Sequence, residues 1–145
     1  MSRRSWTELF FLDEATALAA GHRPCFFCRR AAAEAFWIAW AQGNGVGRPT
    51  APAMDAVLHR ERLLRRKKRI HPLPGPIGNL PDGTMVSAGA AAFAVVGRQP
   101  FLWAADGYRA AVLLPGFDGL LTPPATVKAL SAGYRFALTG TPIEN

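Results

Sequence analysis

Cysteine is scarce in this 145-residue chain, which has only Cys25 and Cys28. Two thiols exclude the disulfide framework that small secreted domains use in place of a large core. Long apolar runs are missing too. No stretch reaches the ~18–20 residues that span a bilayer, so no membrane partner is expected. Arg3 and Arg4 are not followed by an apolar segment with a small-residue cleavage site, the pattern of a secretory leader. The expected location is therefore the cytoplasm, where thiols stay reduced. The sequence also lacks a P-loop, a dinucleotide-binding glycine fingerprint and a nucleophile elbow. It is read as a binding module more readily than as an enzyme.

Acids are outnumbered: Asp and Glu total 10 against 17 Lys and Arg, for a net charge of +7. The excess is concentrated. Within residues 60–69, Arg60, Arg62, Arg65, Arg66, Lys67, Lys68 and Arg69 face a single acid, Glu61. A patch of this density points to a polyanionic partner, most often nucleic acid, although charge alone reads phosphate and not sequence. The simpler alternative is a solvated positive loop. Composition is otherwise ordinary for a globular protein, with 50% hydrophobic and 19% charged residues, enough to bury a core.

Periodicity and punctuation predict an α+β protein. An apolar strand is expected over Thr7–Leu12, then a short helix over Glu14–Ala20 with Asp13 as its N-cap and Gly21 as its left-handed stop. A second helix is expected over Arg29–Gln42, with Ala33, Phe36, Trp37 and Trp40 at helical spacing. Those aromatics read as core in preference to a base-stacking surface. A third helix, Ala53–Arg66, places Met54, Val57, Leu58 and Leu64 on one side and frays into the basic run. The Pro/Gly-rich segment 71–81 excludes helix and reads as a linker or a fixed extended crossing. After it, strands are expected over Thr84–Ala88 and Ala91–Val96, with a further hairpin through Phe101–Ala104 and Tyr108–Leu114. Pro123-Pro124 opens a last helix over Ala125–Ala132. The expected organisation is a helical region over 1–70, a linker over 71–81 and a small antiparallel β lobe with a terminal helix over 82–145. One internal similarity stands out. Ala17-Leu18-Ala19-Ala20-Gly21-His22-Arg23 matches Ala129-Leu130-Ser131-Ala132-Gly133-Tyr134-Arg135 at five of seven positions, which two independent uses of one helix stop explain more simply than duplication.

The cysteines form C-x-x-C, the spacing by which one tight turn offers two thiolates to a metal. Zinc wants four ligands in a tetrahedron. His59 and His71 are candidates for the other two, whereas His22 is too close in sequence to join without strain. Asp13, Glu34 and Asp55 are possible oxygen ligands. The pattern C-x2-C-x30-H-x11-H is looser than a classical finger. A redox reading has some support, since Cys28 sits at a helix start beside Arg29 and Arg30, but the alternating β-α pattern of that fold is missing. A third reading makes Cys25 and Cys28 small buried residues in a metal-free interaction protein.

Phe10-Phe11, an Ala-rich helix ending in Ala20-Gly21, and then His22-Arg23-Pro24-Cys25-Phe26-Phe27-Cys28-Arg29 resemble the second half of the zinc-binding domain of the Ada family, bacterial proteins that repair methyl phosphotriesters in DNA. The resemblance covers about residues 9–30. It implies that Cys25 and Cys28 correspond to the later two of that family's four zinc cysteines. The earlier pair, which includes the methyl acceptor, has no counterpart among the residues before the match, so methyl-transfer chemistry is not implied. The combined expectation is a nucleic-acid-binding module with a CxxC knuckle that zinc can stabilise. Arg65, Arg66, Lys67, Lys68 and Arg69 would contact phosphates, and Arg23, Arg29 and Arg30 would extend the positive surface.

Overall fold

A computed structural model describes residues 14–25, 27, 29–104, 107–111 and 116–135. The strand expected over Thr7–Leu12, the Asp13 cap, Phe26 and Cys28 lie outside the described residues. Helix α1 spans Glu14–Ala19, and the chain leaves it through Gly21 at φ +92°. There the Gly21 amide donates to the Leu18 carbonyl and the His22 amide to Ala17, the paired bonds of a Schellman stop. Helix α2, Arg30–Asn44, buries Ala33, Phe36, Ala39 and Trp40 at helical spacing, so these aromatics are core as expected. Trp37, next to them, is only partly buried against the same cluster. Helix α3, Ala51–Arg62, begins where the Thr50 hydroxyl accepts the Ala53 amide.

Helix α3 ends four residues before the predicted boundary at Arg66, and the basic run is not a frayed helix. Leu63–Leu64 and Lys67–Lys68 instead form strands β1 and β2, paired antiparallel around Arg65-Arg66. Charge supplies the reason. Continuing the helix would stack Arg62, Arg65, Arg66 and Arg69 at i, i+3, i+4 and i+7 on one face, where like charges destabilise.

The main sheet has five antiparallel strands in the order β6-β5-β4-β3-β7: a four-stranded meander, β3 to β6, with β7 crossing back to pair with β3 at the other edge. Its members are β3 (Met85–Ala88), β4 (Ala91–Val96), β5 (Gln99–Ala104), β6 (Gly107–Ala110) and β7 (Gly119–Leu120). Register pairs Met85 with Ala94 and Val86 with Phe93. Alternation therefore sends Met85 and Ala94 to one face and Val86, Phe93 and Val95 to the other. The first face packs on Ala15 and Ala19 of α1. The second packs on Leu80 and Val127, with Leu73 and Ile77 partly buried against it. The Pro/Gly-rich segment thus crosses over the sheet as a fixed strap. It includes one 3-10 turn, Ile77–Asn79, where the sequence excludes helix.

The last helix, α4, spans Pro124–Ser131. It approaches α2 so closely that a Cβ on Gly43 would sit 2.1 Å from the Lys128 carbonyl oxygen. Ala125, Ala129 and Leu130 join the core of α2 and α3, while Val127 joins the sheet core. Glu61 of α3 ties this corner together. Its carboxylate accepts the Ala125 amide at 2.9 Å, at the start of α4, and its carbonyl lies 2.7 Å from His71 Nε2. A carboxylate is well placed at a helix N-terminus. The second A-L-x-A-G segment closes α4 with the same pair of bonds that closes α1: the Gly133 amide donates to Leu130, and Tyr134 to Ala129. Tyr134 then reaches the Glu14 carboxylate of α1, whose other oxygen receives Arg29 at 3.0 Å.

Candidate nucleic-acid interface

The hairpin β1–β2 has two residues at its tip, Arg65 at φ +53° and Arg66 at φ +71°. Left-handed dihedrals at both central positions are what a type I′ turn requires, and Asn-Gly is the usual filling because it bears them cheaply. For L-residues with long side chains the same conformation costs roughly 1–2 kcal/mol each. Bonds behind the tip hold it in place. Lys68 Nζ donates to the Ala19 carbonyl at the end of α1 and, at 2.7 Å, to the Leu121 carbonyl. The Arg69 amide donates to the Arg62 carbonyl at 2.8 Å, and Arg69 Nη1 to the Arg60 carbonyl at 3.1 Å. His71 and Leu120 exchange both backbone bonds.

Register then sorts the side chains. Leu63 pairs with Lys68 and Leu64 with Lys67, so each pair shares a face. Lys68 reaches the body of the protein, which places Leu63 on the inner face and Leu64 with Lys67 on the outer one. Exposure agrees, at 37% for Leu63 and 57% for Leu64. Arg65, Arg66 and Lys67 are exposed, and among the described residues no carboxylate pairs with them. Lys68 differs: desolvation pulls its amine down to about 8, though its residue is exposed along much of its length.

The segment 21–25 lies directly beside the hairpin's base. The Arg62 side chain runs across Gly21, where an added Cβ would come within 2.5 Å of its Cδ. Around this contact is a cavity of about 460 Å³ lined by Gly21, His22, Arg23, Cys25, Asp55, Leu58 and Arg62. Arg23 grips Asp55 with two bonds, Nε to Oδ1 at 2.7 Å and Nη2 to Oδ2 at 3.0 Å. Burial, and then the Arg62 charge, hold His22 below the usual imidazole range. Cys25 is exposed, and Phe27 beyond it is 99% exposed.

No family model, curated protein or solved structure matches the chain. The resemblance of residues 9–30 to the Ada family therefore rests on the residues quoted for it. The other predicted site residues have separate placements. Arg29 pairs with buried Glu14, whose hydrogen bond raises the guanidinium pKa further. Arg30 pairs with Glu34 one turn along α2 and stays 74% exposed. His59 is exposed on α3, and His71 is buried against the Glu61 carbonyl. Neither histidine lines the Cys25 cavity. Among the described residues no three His, Cys, Asp or Glu side chains are grouped as a metal requires. Asp55, the acid in that cavity's lining, has both oxygens on Arg23. The described residues do not by themselves make a zinc centre.

A larger cavity of about 580 Å³ lies along α2, lined by Glu34, Trp37, Ile38, Ala41, Gln42, Val46 and Arg48. The Arg48 guanidinium already covers the Trp37 ring there, 4.5 Å from its centroid, and Trp37 Nε1 donates to the Pro49 carbonyl at 2.7 Å. Sequence reasoning missed two features of the interface, the Arg62–Gly21 contact and the exposed Phe27. Arginines at helical spacing within 62–69 were the available signal that the helix would stop.

Proposed function

We propose that the chain is a nucleic-acid-binding module whose hairpin tip, Arg65-Arg66-Lys67, contacts phosphates. One observation carries this reading: two arginines occupy a strained turn, in water, unpaired with any acid among the described residues. Backbone strain that a fold maintains against cheaper alternatives tends to accompany function. Lys68 and Arg69 position the tip through backbone carbonyls. Arg23 and Arg29 are committed to acids of α3 and α1, and Arg30 adds an accessible charge. The likeness to a DNA-directed family at the adjoining knuckle supports the same face. The two cysteines present match that family's later pair, so no methyl transfer is proposed and no step runs through zinc.

The test is binding of a fluorescein-labelled oligonucleotide, followed by anisotropy across a salt series. Replacing Arg65, Arg66 and Lys67 together with alanine should lower affinity alike for all sequences. It should also flatten the log–log salt slope by about 2–3, since each phosphate contact contributes roughly 0.7–0.9. Unchanged affinity at low salt would overturn the reading.

A further inference from the structure

We infer that the preferred ligand of this face is single-stranded nucleic acid, with the Phe27 ring as a platform on which one base stacks; this rests on the phosphate-binding reading of the hairpin. Among the described residues, Phe27 is the most exposed of the large hydrophobics, at 99%. A phenyl ring left in water forgoes roughly 1.5–3 kcal/mol that burial would supply. Elsewhere among the described residues aromatics pack on one another, Phe36 against Trp40 and Tyr134 and Phe93 against Phe117, and Trp103, 43% exposed, lies on the sheet and not beside the hairpin. Trp37 cannot serve as the platform, because Arg48 occupies a face of its ring.

The position of Phe27 joins the ring to the charge. It lies two residues beyond Cys25, which shares a cavity with Arg62. Arg62 immediately precedes the hairpin, and the extended chain from Arg62 to Arg65 covers about 10 Å. Ring and cations therefore fall within the ~4–16-nucleotide footprint of single-strand modules. Those modules combine a positive track for the backbone with aromatic faces for unpaired bases. A duplex offers phosphates to the hairpin, but its bases are already stacked on each other and give a surface phenyl ring nothing to cover. The juxtaposition of a bare ring and unpaired cations is chemically complementary to a strand with free bases.

The experiment measures anisotropy with a labelled oligo-dT, an oligo-U of equal length and a duplex of matched phosphate number. The proteins are wild type, Phe27→Ala, Phe27→Trp and the triple hairpin variant. Phe27→Ala should weaken single-strand binding about tenfold or more with the salt slope unchanged, leave duplex binding alone and preserve the melting temperature. Phe27→Trp should retain single-strand affinity. The dT and U arms show whether DNA or RNA is the preferred strand. The inference is overturned if Phe27→Ala binds single strands as wild type does, or if the duplex binds as tightly as the strands. If the hairpin variant alone fails to bind, the phosphate reading stands and the stacking inference falls. If wild type binds no oligonucleotide, both fall.

Discussion

Glu14 is a buried carboxylate with a donor on each oxygen, the Tyr134 hydroxyl and the Arg29 guanidinium. The two donors come from opposite ends of the described chain, so this residue closes the fold in sequence as well as in space. Removing one of them leaves a buried oxygen unsatisfied. Tyr134→Phe should therefore cost about 1–3 kcal/mol, read as a lower urea midpoint at constant slope. Its effect on pH dependence has a definite sign. Burial first, and then the Glu14 bond, raise the Tyr134 pKa. The unfolded chain thus loses this proton first, and stability is full below pH ~10 and falls above it. Lys68 works in the opposite direction. Burial lowers its amine to about 8, so between pH 8 and ~10.4 the unfolded chain holds more protons and stability rises with pH. That gain is a fraction of the full value because much of the side chain is exposed. Urea midpoints taken from pH 7 to 11 should rise and then fall, and Tyr134→Phe should soften the fall.

At the scale of elements, the hairpin carries backbone strain, and the proposed phosphate contact predicts that relieving it trades affinity for stability. Arg65→Asn with Arg66→Gly gives the turn its preferred residues, so thermal stability should rise, by about 1 kcal/mol or more. Oligonucleotide affinity should drop in the same protein. A variant that gained stability and kept its affinity would show the tip to be a bystander. This element was only half legible in the sequence. The density of cations was plain, and so was the polyanion they suggest. Their conformation was not, because Leu63 and Leu64 continue the helical pattern of Met54, Val57 and Leu58, and only the crowding of Arg62, Arg65, Arg66 and Arg69 on one face speaks against it. Helix stops were read more easily: Gly21 and Gly133 mark their Schellman turns in the letters alone.

For the whole molecule, the α+β class and the antiparallel sheet followed from turn signals such as Asp82-Gly83 and Gly89 between short apolar runs. What no local pattern carried was the meeting of the end of α1 and the basic run. It depends on Gly21 admitting Arg62 and on Lys68 reaching the end of α1, contacts between segments some forty residues apart. Nor did the sequence show that α4 serves two cores. Ala125 and Leu130 pack with α2 and α3 while Val127 packs on the sheet. Unfolding in urea should therefore be one transition, coincident by far-ultraviolet circular dichroism and by tryptophan fluorescence. Two separated midpoints would mean that the helical region and the sheet fold apart.

Glu61 gives this architecture a mechanical property. Its backbone steadies the imidazole that follows the finger, and its side chain seats the first turn of the C-terminal helix. Load applied to the fingertip would pass in part through Glu61, alongside the Lys68 and Arg69 bonds that hold the hairpin to α1 and α3. The finger is a lever fixed at its root, with α4 among the elements that bear its load.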